Sequence, residues 1–359
     1  MTDERVERIA AGLSGKKTQP YFVCIRPSFR CNLHCLSCWN SNSKTIVKNE
    51  VSEKRLLRLI KEGHDLGVRC WRIDGGGEPM VRAETCIKMM GLIKKLGMWG
   101  SLTTNATLFS SDYIKKIISM EWDIVNISMQ GYDKKTDDFF RRVKGTYDKT
   151  IETLKLFKLW KGRLSKEKPY IKLMPVLHNK NCGHLQDFIK IAHETGAEEV
   201  GFQIHAVWTA YGKRLALKER HFHMISESAA KATEEANKFG IKTNAPSLIH
   251  TDDMKNPNRM DKAIISRAGE DKFLPCLEPW YFIIIDEFGT AGFCVQDLKT
   301  ELSITNSTLE EVWNSRHFDA ARERLKGGKL FRFCSRCCSP KFQESKELRE
   351  MVKHALENG

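Results

Sequence analysis

The stretch Cys31-Asn-Leu-His-Cys35-Leu-Ser-Cys38 places three thiols within eight residues, directly after an apolar run, Tyr21–Arg26, that is predicted to be a strand. Clustered thiolates are ligands for zinc and for iron–sulfur clusters. Three thiolates leave one iron of a four-iron cluster open, whereas structural zinc takes a fourth protein ligand, for which His34 is the nearest candidate. The stretch therefore predicts a metal centre at the end of the first strand.

Downstream of this stretch, short apolar runs alternate with amphipathic helical patterns. The predicted strands are Tyr21–Arg26, Cys70–Asp74, Gly100–Thr104, Ile124–Met129, Tyr170–Leu177 and Glu199–Ile204, and the predicted helices are Ser52–Leu66, Ala83–Leu96, Ser110–Met120, Tyr147–Trp160 and Leu185–Glu194. Strands that are each followed by a helix predict an α/β fold with a parallel sheet, either open or closed into a full or partial barrel. In such folds the active site lies at the carboxyl ends of the strands, where the three thiols are found.

The pattern changes after residue 208. A further helix is predicted over His221–Phe239, and the stretch 246–275, rich in Asn, Asp, Pro and charged residues, is predicted to be a linker. A β-hairpin over 281–295 and short helices are predicted beyond it. We therefore divide the chain into an N-terminal segment (1–19), an α/β domain (20–245), the linker, a small cysteine-bearing domain (276–340) and a C-terminal helix (341–359).

The composition bounds the class of protein. The chain has 59 Lys and Arg residues and 45 Asp and Glu residues, which gives a formal net charge of +14. This charge favours an anionic substrate or partner, and the alternative is that the basic residues only form a solvated surface. No apolar run approaches the ~20 residues of a membrane span, and the charged N-terminus lacks the apolar core of a signal peptide. No basic patch interleaved with aromatic residues indicates nucleic-acid binding. We expect a cytoplasmic protein without membrane association, whose twelve cysteines serve metal binding rather than disulfides.

The Cys-x3-Cys-x2-Cys spacing of Cys31, Cys35 and Cys38 resembles that of the radical S-adenosylmethionine (SAM) superfamily. The resemblance implies a partial (β/α)6 barrel of the TIM type over roughly residues 20–210. It also implies a [4Fe–4S] cluster on the three cysteines, with SAM chelating the open iron. Trp39, directly after Cys38, is then expected near the adenine of SAM.

Further segments resemble SAM-binding motifs of the same family, in the order that the fold requires. Asp74-Gly-Gly-Gly-Glu-Pro79 resembles the GGE motif, Thr103-Thr-Asn-Ala-Thr107 the Thr-Asn-Gly segment, and Ile127-Ser-Met-Gln-Gly131 the Ser-x-Asp-Gly segment. Ala106 replaces the usual Gly, and Gln130 replaces the Asp, which puts a carboxylate base at that position in doubt. The residues that the resemblance assigns to SAM, or to substrate in the case of Gln130, are Trp39, Gly76, Gly77, Glu78, Asn105, Ser128, Gln130 and one of Arg141 and Arg142.

Four cysteines near the C-terminus form a second set. Cys276 and Cys294 flank the predicted hairpin in a Cys-x12-Gly-x4-Cys pattern, and Cys334-Ser-Arg-Cys337 follows. Four thiolates in a small domain with little core predict a stabilising zinc or iron–sulfur site. Behind a radical SAM barrel the pattern resembles the SPASM/twitch extension, whose shorter form, the twitch domain, implies one auxiliary [4Fe–4S] cluster. Cys338 remains as a competing ligand or a spare thiol.

The family resemblance also implies the chemistry. SAM is cleaved reductively to methionine and a 5′-deoxyadenosyl radical that abstracts a hydrogen atom from the substrate, and a flavodoxin or ferredoxin supplies the electron. The auxiliary cluster implies electron transfer and a net oxidation, so an oxygen-sensitive oxidoreductase is expected. Cys182 lies just after the fifth predicted strand, where it is either an incidental loop cysteine or a hydrogen-atom donor that would make the enzyme an epimerase.

The expected substrate class depends on the start of the chain. About twenty residues precede the first predicted strand, too few for the leader-recognition domain common in peptide-modifying relatives. We therefore expect a small polar substrate such as a sugar, an aminocyclitol or a nucleotide-linked sugar. The alternatives are maturation of a ribosomal peptide or protein (epimerisation, crosslinking or formylglycine-type oxidation) and, in a different class, a non-catalytic zinc or iron–sulfur binding protein.

Overall fold

A ten-stranded sheet organises the chain. The computed structural model describes residues 3–42, 49–205, 207, 209–249, 276–298, 300–336 and 339–357. The strands are β1 (Phe22–Ile25), β2 (Cys70–Ile73), β3 (Trp99–Thr104), β4 (Ile124–Met129), β5 (Tyr170–Leu177), β6 (Glu199–Val200), β7 (Gln203–Ile204), β8 (Lys242–Thr243), β9 (Phe282–Ile285) and β10 (Ala291–Gly292). Their order is β10-β9-β1-β2-β3-β4-β5-β6-β8, with β7 paired to β5, and every pair except β9–β10 is parallel.

Helices connect the parallel strands. They are α1 (Glu4–Leu13), α2 (Glu53–Asp65), α3 (Ala83–Lys95), α4 (Ser111–Ser119), α5 (Lys134–Arg141), α6 (Thr146–Arg163), α7 (Leu185–Thr195), α8 (Gly212–Leu215), α9 (Glu219–Phe239), α10 (Leu309–Trp313), α11 (Arg316–Lys326) and α12 (Ser339–Glu357). Helix α2 begins after the N-cap Ser52 and helix α4 after the N-cap Ser110, because the side-chain oxygen of each serine accepts a hydrogen bond from a backbone N–H of the first turn. No helix among the described residues is long and apolar enough to cross a membrane.

The period-two pattern of the strands separates two faces of the sheet. In β5 every second residue is buried, and Ile171, Leu173 and Leu177 belong to the main apolar core beneath the helices. The alternate positions, among them Lys172, are only partly buried and lie on the opposite face. The sheet therefore has one face covered by helices and an inner face that carries polar side chains.

The strand-then-helix prediction is confirmed for the first five strands, each within one residue at either end. The sixth predicted strand is divided into β6 and β7, because Gly201 and Phe202 lie between them outside the strand pairing. Three helices, α1, α5 and α8, were not predicted. The partial parallel barrel implied by the family resemblance is the architecture observed.

The predicted C-terminal hairpin is confirmed as β9 and β10, but β9 also pairs in parallel with β1. All four residues of Phe282–Ile285 are buried, which suits a strand covered on both faces. The sheet thus runs across the predicted boundary between the α/β domain and the cysteine-bearing domain. Most of the predicted linker, 250–275, lies outside the described residues, and the proposed division of the chain stays a prediction.

A second, smaller core joins the two ends of the chain. Val6 and Ile9 of α1 pack with Leu348 and Val352 of α12 around Trp280. Leu277, directly after Cys276, belongs to the same cluster. The N-terminal helix and the C-terminal helix therefore enclose the segment that carries the first cysteine of the second set.

Candidate active site

The loop that carries the first three thiols is fixed by the end of α5. Its backbone N–H groups at His34 and Leu36 donate to the carbonyls of Arg141 (3.2 Å) and Phe140 (3.0 Å). Cys31 is exposed, whereas Cys35 and Cys38 are partly buried. Helix α5, absent from the sequence prediction, therefore sets the position of the cysteine loop above the sheet.

The three thiols share one electrostatic environment. Burial, with smaller contributions from the neighbouring thiols of Cys38 and Cys31, raises the pKa of Cys35 to about 12 against the lowering effect of Arg141. Among the described side chains, no three His, Cys, Asp or Glu groups are arranged closely enough to hold a metal ion as they stand. The donor set nevertheless fits an iron–sulfur cluster, because soft thiolates on one loop are the ligands that such a cluster takes.

The glycine loop after β2 packs tightly against the segment that leads into the cysteines. A Cβ on Gly77 would lie 2.2 Å from the carbonyl oxygen of Arg30, so only glycine fits at this position. The Gly77 N–H donates to Ser28 O (3.1 Å), and the Glu78 N–H donates to Arg30 O (2.8 Å). These bonds bring the predicted GGE motif to the carboxyl end of β1.

Glu78 connects the ends of β2 and β3. It is 3% exposed, and its carboxylate accepts from Thr104 Oγ1 (2.6 Å), the Asn105 N–H (2.7 Å) and the Met80 N–H (3.0 Å). Burial raises its pKa, although these three hydrogen bonds oppose the rise. A carboxylate has about four acceptor positions, so Glu78 keeps capacity for one further donor such as an ammonium group.

The Thr-Asn-Ala segment after β3 contacts the cysteine loop directly. Asn105 Nδ2 donates to Asn32 Oδ1 (3.0 Å), and Asn32 Nδ2 donates to Thr107 Oγ1 (2.8 Å). Ala106 has a φ of +63°, a left-handed conformation that glycine adopts most readily. The position where the family has glycine therefore keeps the glycine conformation, although it carries alanine here.

The end of β4 presents a buried oxygen that has no bond. Gln130 is held through its backbone, whose N–H donates to Asp137 Oδ1 (2.9 Å) and whose carbonyl accepts from Asn181 Nδ2 (2.9 Å). Its side-chain Oε1 is buried and lacks a hydrogen-bond partner in the part of the chain that the structure describes. An orphaned buried acceptor costs about 1–3 kcal/mol, so Gln130 fits contact with a ligand that donates a hydrogen bond.

The two adjacent arginines occupy different environments. Arg141 is 1% exposed and donates to Asn105 O (3.0 Å), to Thr150 Oγ1 (3.2 Å) and to the carbonyl oxygen of Ser128. Its Nε also lies 3.0 Å from Asp137 Oδ2. The hydrogen bonds of the Arg141 guanidinium are therefore made to the ends of the strands, and Ser128 accepts one of them through its backbone carbonyl.

Arg142 instead lines a cavity of about 1190 Å³ beside the cysteine loop. It is exposed and has a φ of +59°. Cys35, Lys135, Phe139 and Lys144 line the same cavity, and Phe139 is 53% exposed. Of the two arginines, Arg142 is the one whose guanidinium has no hydrogen bond or ion pair to a described residue.

The environment of Cys182 differs from the expectation of a substrate contact. The residue is 1% exposed and belongs to the main apolar core, and burial raises its pKa. The neighbouring His178 is equally buried, stacks on Phe140 with 4.8 Å between ring centroids, and has its pKa lowered to about 4 by burial. This placement supports a packing role for the Cys182 thiol and gives no support to hydrogen-atom donation.

The second cysteine set is only partly within the described residues. Cys276, Cys294 and Cys334 are partly buried, and Cys337 and Cys338 lie outside the described part of the chain. Burial raises the pKa of Cys334. Stacked rings of Phe331 and Phe333, 4.9 Å apart, lie beside Cys334 in the chain and give this region an apolar wall.

Two functional neighbours escaped the sequence prediction. The carboxylate of Asp137 accepts hydrogen bonds from the N–H groups of Gln130 and Gly131. The sequence signal for this residue was its opposite charge four positions before Arg141, the spacing of an ion pair on one helix face. Glu287, in the turn after β9, contacts Gly76, and nothing in the local sequence indicates a contact over that separation.

The comparisons with known proteins follow the same division of the chain. A sequence model of the radical SAM superfamily matches residues 25–159, and a model of the SPASM iron–sulfur cluster-binding domain matches residues 276–338. The chain carries a radical SAM domain followed by a SPASM-type domain. SAM and two iron–sulfur clusters are the cofactors of this pair of domains, so the cofactor prediction is confirmed.

Two curated proteins illustrate what the chain resembles in sequence. A probable GTP 3′,8-cyclase of Sulfurisphaera tokodaii is 30% identical over 59% of this chain and 64% of its own length. An Fe-coproporphyrin III synthase of Methanosarcina barkeri is 29% identical over 35% of this chain and 31% of its own length. The chain thus spans less than two thirds of each of these curated relatives.

The solved structures that resemble the chain cover more of it at lower identity. SuiB of Streptococcus suis, bound to its precursor peptide SuiA, has a TM-score of 0.64 at 17% identity over 96% of this chain and 77% of SuiB. The protein anSMEcpe with bound AdoMet has a TM-score of 0.61 at 17% identity over 94% of this chain and 98% of its own. These likenesses show a shared fold, the TIM-like partial barrel with its C-terminal domain.

Proposed function

We propose that this protein is a radical SAM oxidoreductase that acts on a small polar substrate. The observation that carries the proposal is the convergence of the three thiols, the glycine loop and the ends of β3 and β4 through Glu78, Asn105 and Arg141. When bound, the cluster and SAM supply one-electron cleavage of SAM to methionine and a 5′-deoxyadenosyl radical. The protein supplies position and seclusion from water.

Each part of SAM has a partner of matching chemistry at this edge. The amides of Gly77 and Glu78 donate to the protein, so the glycine loop offers carbonyl oxygens and the Glu78 carboxylate to the ammonium group. Arg142 suits the carboxylate, because Arg141 is committed to the strand ends. Trp39 is 45% exposed and packs edge-on against Phe29, which leaves ring surface for the adenine.

The metal ligands are part of the proposal. Cys31, Cys35 and Cys38 would hold the SAM-binding [4Fe–4S] cluster, and Cys276, Cys294, Cys334 and Cys337 the auxiliary one. With four protein ligands the auxiliary cluster would have no open iron, which suits acceptance of the second electron of the oxidation. The alternatives are zinc in the C-terminal site and a non-catalytic zinc or iron–sulfur binding protein. Analysis of bound iron, sulfide and zinc would reveal a zinc-bound form.

The small polar substrate is supported by the names of the curated relatives. The relative that is 30% identical is named as a cyclase of GTP, a nucleotide, and another as a synthase of a coproporphyrin, an acidic tetrapyrrole. A net charge of +14 also suits an anionic substrate. Maturation of a peptide or protein is the alternative outcome of the substrate test.

The electron donor is expected at the cavity beside Cys35. Lys135 and Lys144 line it without an ion pair to a described residue, and Phe139 adds an exposed apolar contact. A flavodoxin or ferredoxin, both acidic carriers, would be steered to this basic surface. A cytoplasmic setting, predicted from the sequence, fits such a donor and stays a prediction.

One experiment tests the activity and the substrate class together. The protein is reconstituted anaerobically with iron and sulfide, and 5′-deoxyadenosine is measured with SAM and dithionite while small-metabolite and peptide fractions of a cell extract are added in turn. Stimulation by the metabolite fraction supports the proposal, and stimulation by the peptide fraction favours the maturase. Bound iron without product in any fraction would contradict the catalytic function.

The ligand assignment is tested by iron and sulfide content. Cys31→Ala and Cys294→Ala are each expected to lose roughly half of the bound iron, since each removes a ligand of one of two clusters. Cys70→Ala is the matched control, because this partly buried thiol on β2 lies outside both sets. Full iron content in Cys31→Ala would contradict the assignment.

A further inference from the structure

The turn between β9 and β10, Asp286–Gly289, lies against the glycine loop of the SAM site. The carboxylate of Glu287 is 2% exposed and accepts a hydrogen bond from the Gly76 N–H at 2.6 Å. The two residues are separated by 211 positions in the sequence. A residue of the C-terminal domain therefore holds a backbone amide of the predicted GGE motif.

The fit leaves no room for a side chain at Gly76. A Cβ on Gly76 would lie 1.9 Å from Glu287 Oε1 and 3.3 Å from the ring of Trp39. The Gly76 carbonyl accepts from Asn40 Nδ2 at 2.5 Å. Both polar groups of Gly76 are therefore bound, the N–H by the C-terminal domain and the carbonyl by the segment just after the cysteines.

The same turn also supports the cysteine loop. The Glu287 carbonyl accepts the Val51 N–H at 2.9 Å, and the ring of Phe288 lies 5.6 Å from that of Phe29. Phe29 in turn contacts Trp39, the residue directly after Cys38, with 5.7 Å between ring centroids. One turn of the C-terminal domain thus contacts both sides of the site that the proposed function assigns to SAM.

The orientation of the glycine loop depends on where its amides donate. Gly77 and Glu78 donate to Ser28 and Arg30 of the cysteine-bearing loop, whereas Gly76 donates to Glu287. A glycine peptide turns easily when its N–H is released, because no side chain restricts its dihedral angles. Glu287 is therefore the group that prevents the Gly76 amide from turning towards the ligand side, where carbonyl oxygens are needed for an ammonium group.

We propose that Glu287 is a positioning residue for SAM, which makes the affinity for SAM depend on the C-terminal domain. The inference rests on the proposed function, since it assumes that the glycine loop receives the ammonium group. Glu287 acts through Gly76 and not by contact with SAM. Burial raises the pKa of Glu287 to about 7, and the positive charge of Arg26 opposes this rise and offsets part of the cost of burial.

The test compares three variants of Glu287 and one control variant in the reconstituted holoprotein. Glu287→Ala and Glu287→Asp, whose shorter side chain cannot reach 2.6 Å without movement, are expected to raise the Kd for SAM about ten- to a hundredfold. Glu287→Gln keeps a carbonyl acceptor and is expected to stay within about threefold of the parent protein. Glu301→Ala, an exposed glutamate of the same domain, is the control and should leave the Kd unchanged.

Two readouts besides activity accompany the Kd. Iron content should remain at the parent level in all variants, and hydrogen exchange of the peptide that contains Gly76 should be faster in Glu287→Ala and Glu287→Asp. Unchanged Kd and unchanged exchange in these two variants would overturn the proposal. If the parent protein bound no SAM, the proposed function would fail, while exchange at Gly76 would still report whether Glu287 holds the loop.

Discussion

Arg141 Nε lies 3.0 Å from Asp137 Oδ2, and the two side chains are exposed by only 1% and 0%. The pair joins three segments of the chain. Asp137 accepts from the N–H of Gln130, and Arg141 donates to the carbonyls of Asn105 and Ser128, while its own carbonyl accepts the N–H of the cysteine loop at His34. The ends of β3 and β4 and the cysteine loop are therefore held by one buried ion pair.

Removal of one partner of this pair is expected to destabilise the protein strongly. Arg141→Met or Asp137→Asn leaves a buried charge without its counter-ion, which costs about 3–5 kcal/mol of unfolding free energy. Urea unfolding of the reconstituted protein measures the loss. Arg142→Met, one residue further and exposed, is the matched control and should change stability by less than about 0.5 kcal/mol. Equal effects of the two arginine variants would contradict the assignment of Arg141 as the structural residue.

Charge reversal in the cavity beside Cys35 is expected to slow electron delivery. Lys135→Glu combined with Lys144→Glu removes the attraction for an acidic carrier, so reduction by flavodoxin should slow by about tenfold or more at low ionic strength and respond less to salt. Stopped-flow absorbance of the cluster gives the rate. Lys231→Glu on the exposed surface of α9 is the control. Reduction by dithionite should be unchanged in every variant, and parent-like rates with flavodoxin would place the docking surface elsewhere.

Cys182→Ala is expected to affect stability more than turnover. Cys182 is 1% exposed within the apolar core, so removal of its thiol should cost about 1 kcal/mol of unfolding free energy. The number of 5′-deoxyadenosine molecules formed per molecule of product should stay unchanged. Thermal unfolding and product analysis in deuterated solvent measure the two effects. Solvent deuterium in the product of the parent protein, lost in Cys182→Ala, would restore the hydrogen-donor role predicted from the sequence.

His178 predicts a pH dependence of stability. Burial lowers the pKa of His178 from its ordinary value near 6.5 to about 4, and the nearby His205 and Lys180 also lower it, against the Gln130 carbonyl. Between pH 6.5 and 4 the unfolded chain binds the proton and the folded chain does not, so stability falls as pH decreases through this window.

The comparison is made with His178→Gln, which removes the ionisable group. The difference in unfolding free energy between the parent and this variant should shift by up to roughly 3 kcal/mol between pH 7 and pH 4, in favour of the variant at low pH. Urea unfolding at both pH values gives the shift. A difference independent of pH would show that His178 is not held neutral in the folded protein.

The sequence predicted the elements whose signal is local. Apolar runs of four to eight residues placed β1 to β5 within one residue, and serine caps placed the starts of α2 and α4. The spacing of Cys31, Cys35 and Cys38 predicted a cluster loop, since the ligands of one cluster are contributed by nearby positions. Helix α5 escaped prediction because it is short and highly charged, and its buried residues, including Asp137 and Arg141, are mostly not apolar.

By itself, the sequence determined the class of this protein: a parallel α/β barrel with a thiolate cluster loop and a second cysteine set, because these depend on spacing along the chain. Only the tertiary structure placed Arg141 in a buried ion pair and Arg142 at a cavity, buried Cys182 in the core and brought Glu287 to Gly76. Each of these depends on which groups, distant in sequence, are buried together, because a polar group in the low-dielectric interior needs a hydrogen-bond or ion-pair partner. That pairing is fixed by packing between β9 and β1 and between α5 and the cysteine loop, and no local pattern encodes it.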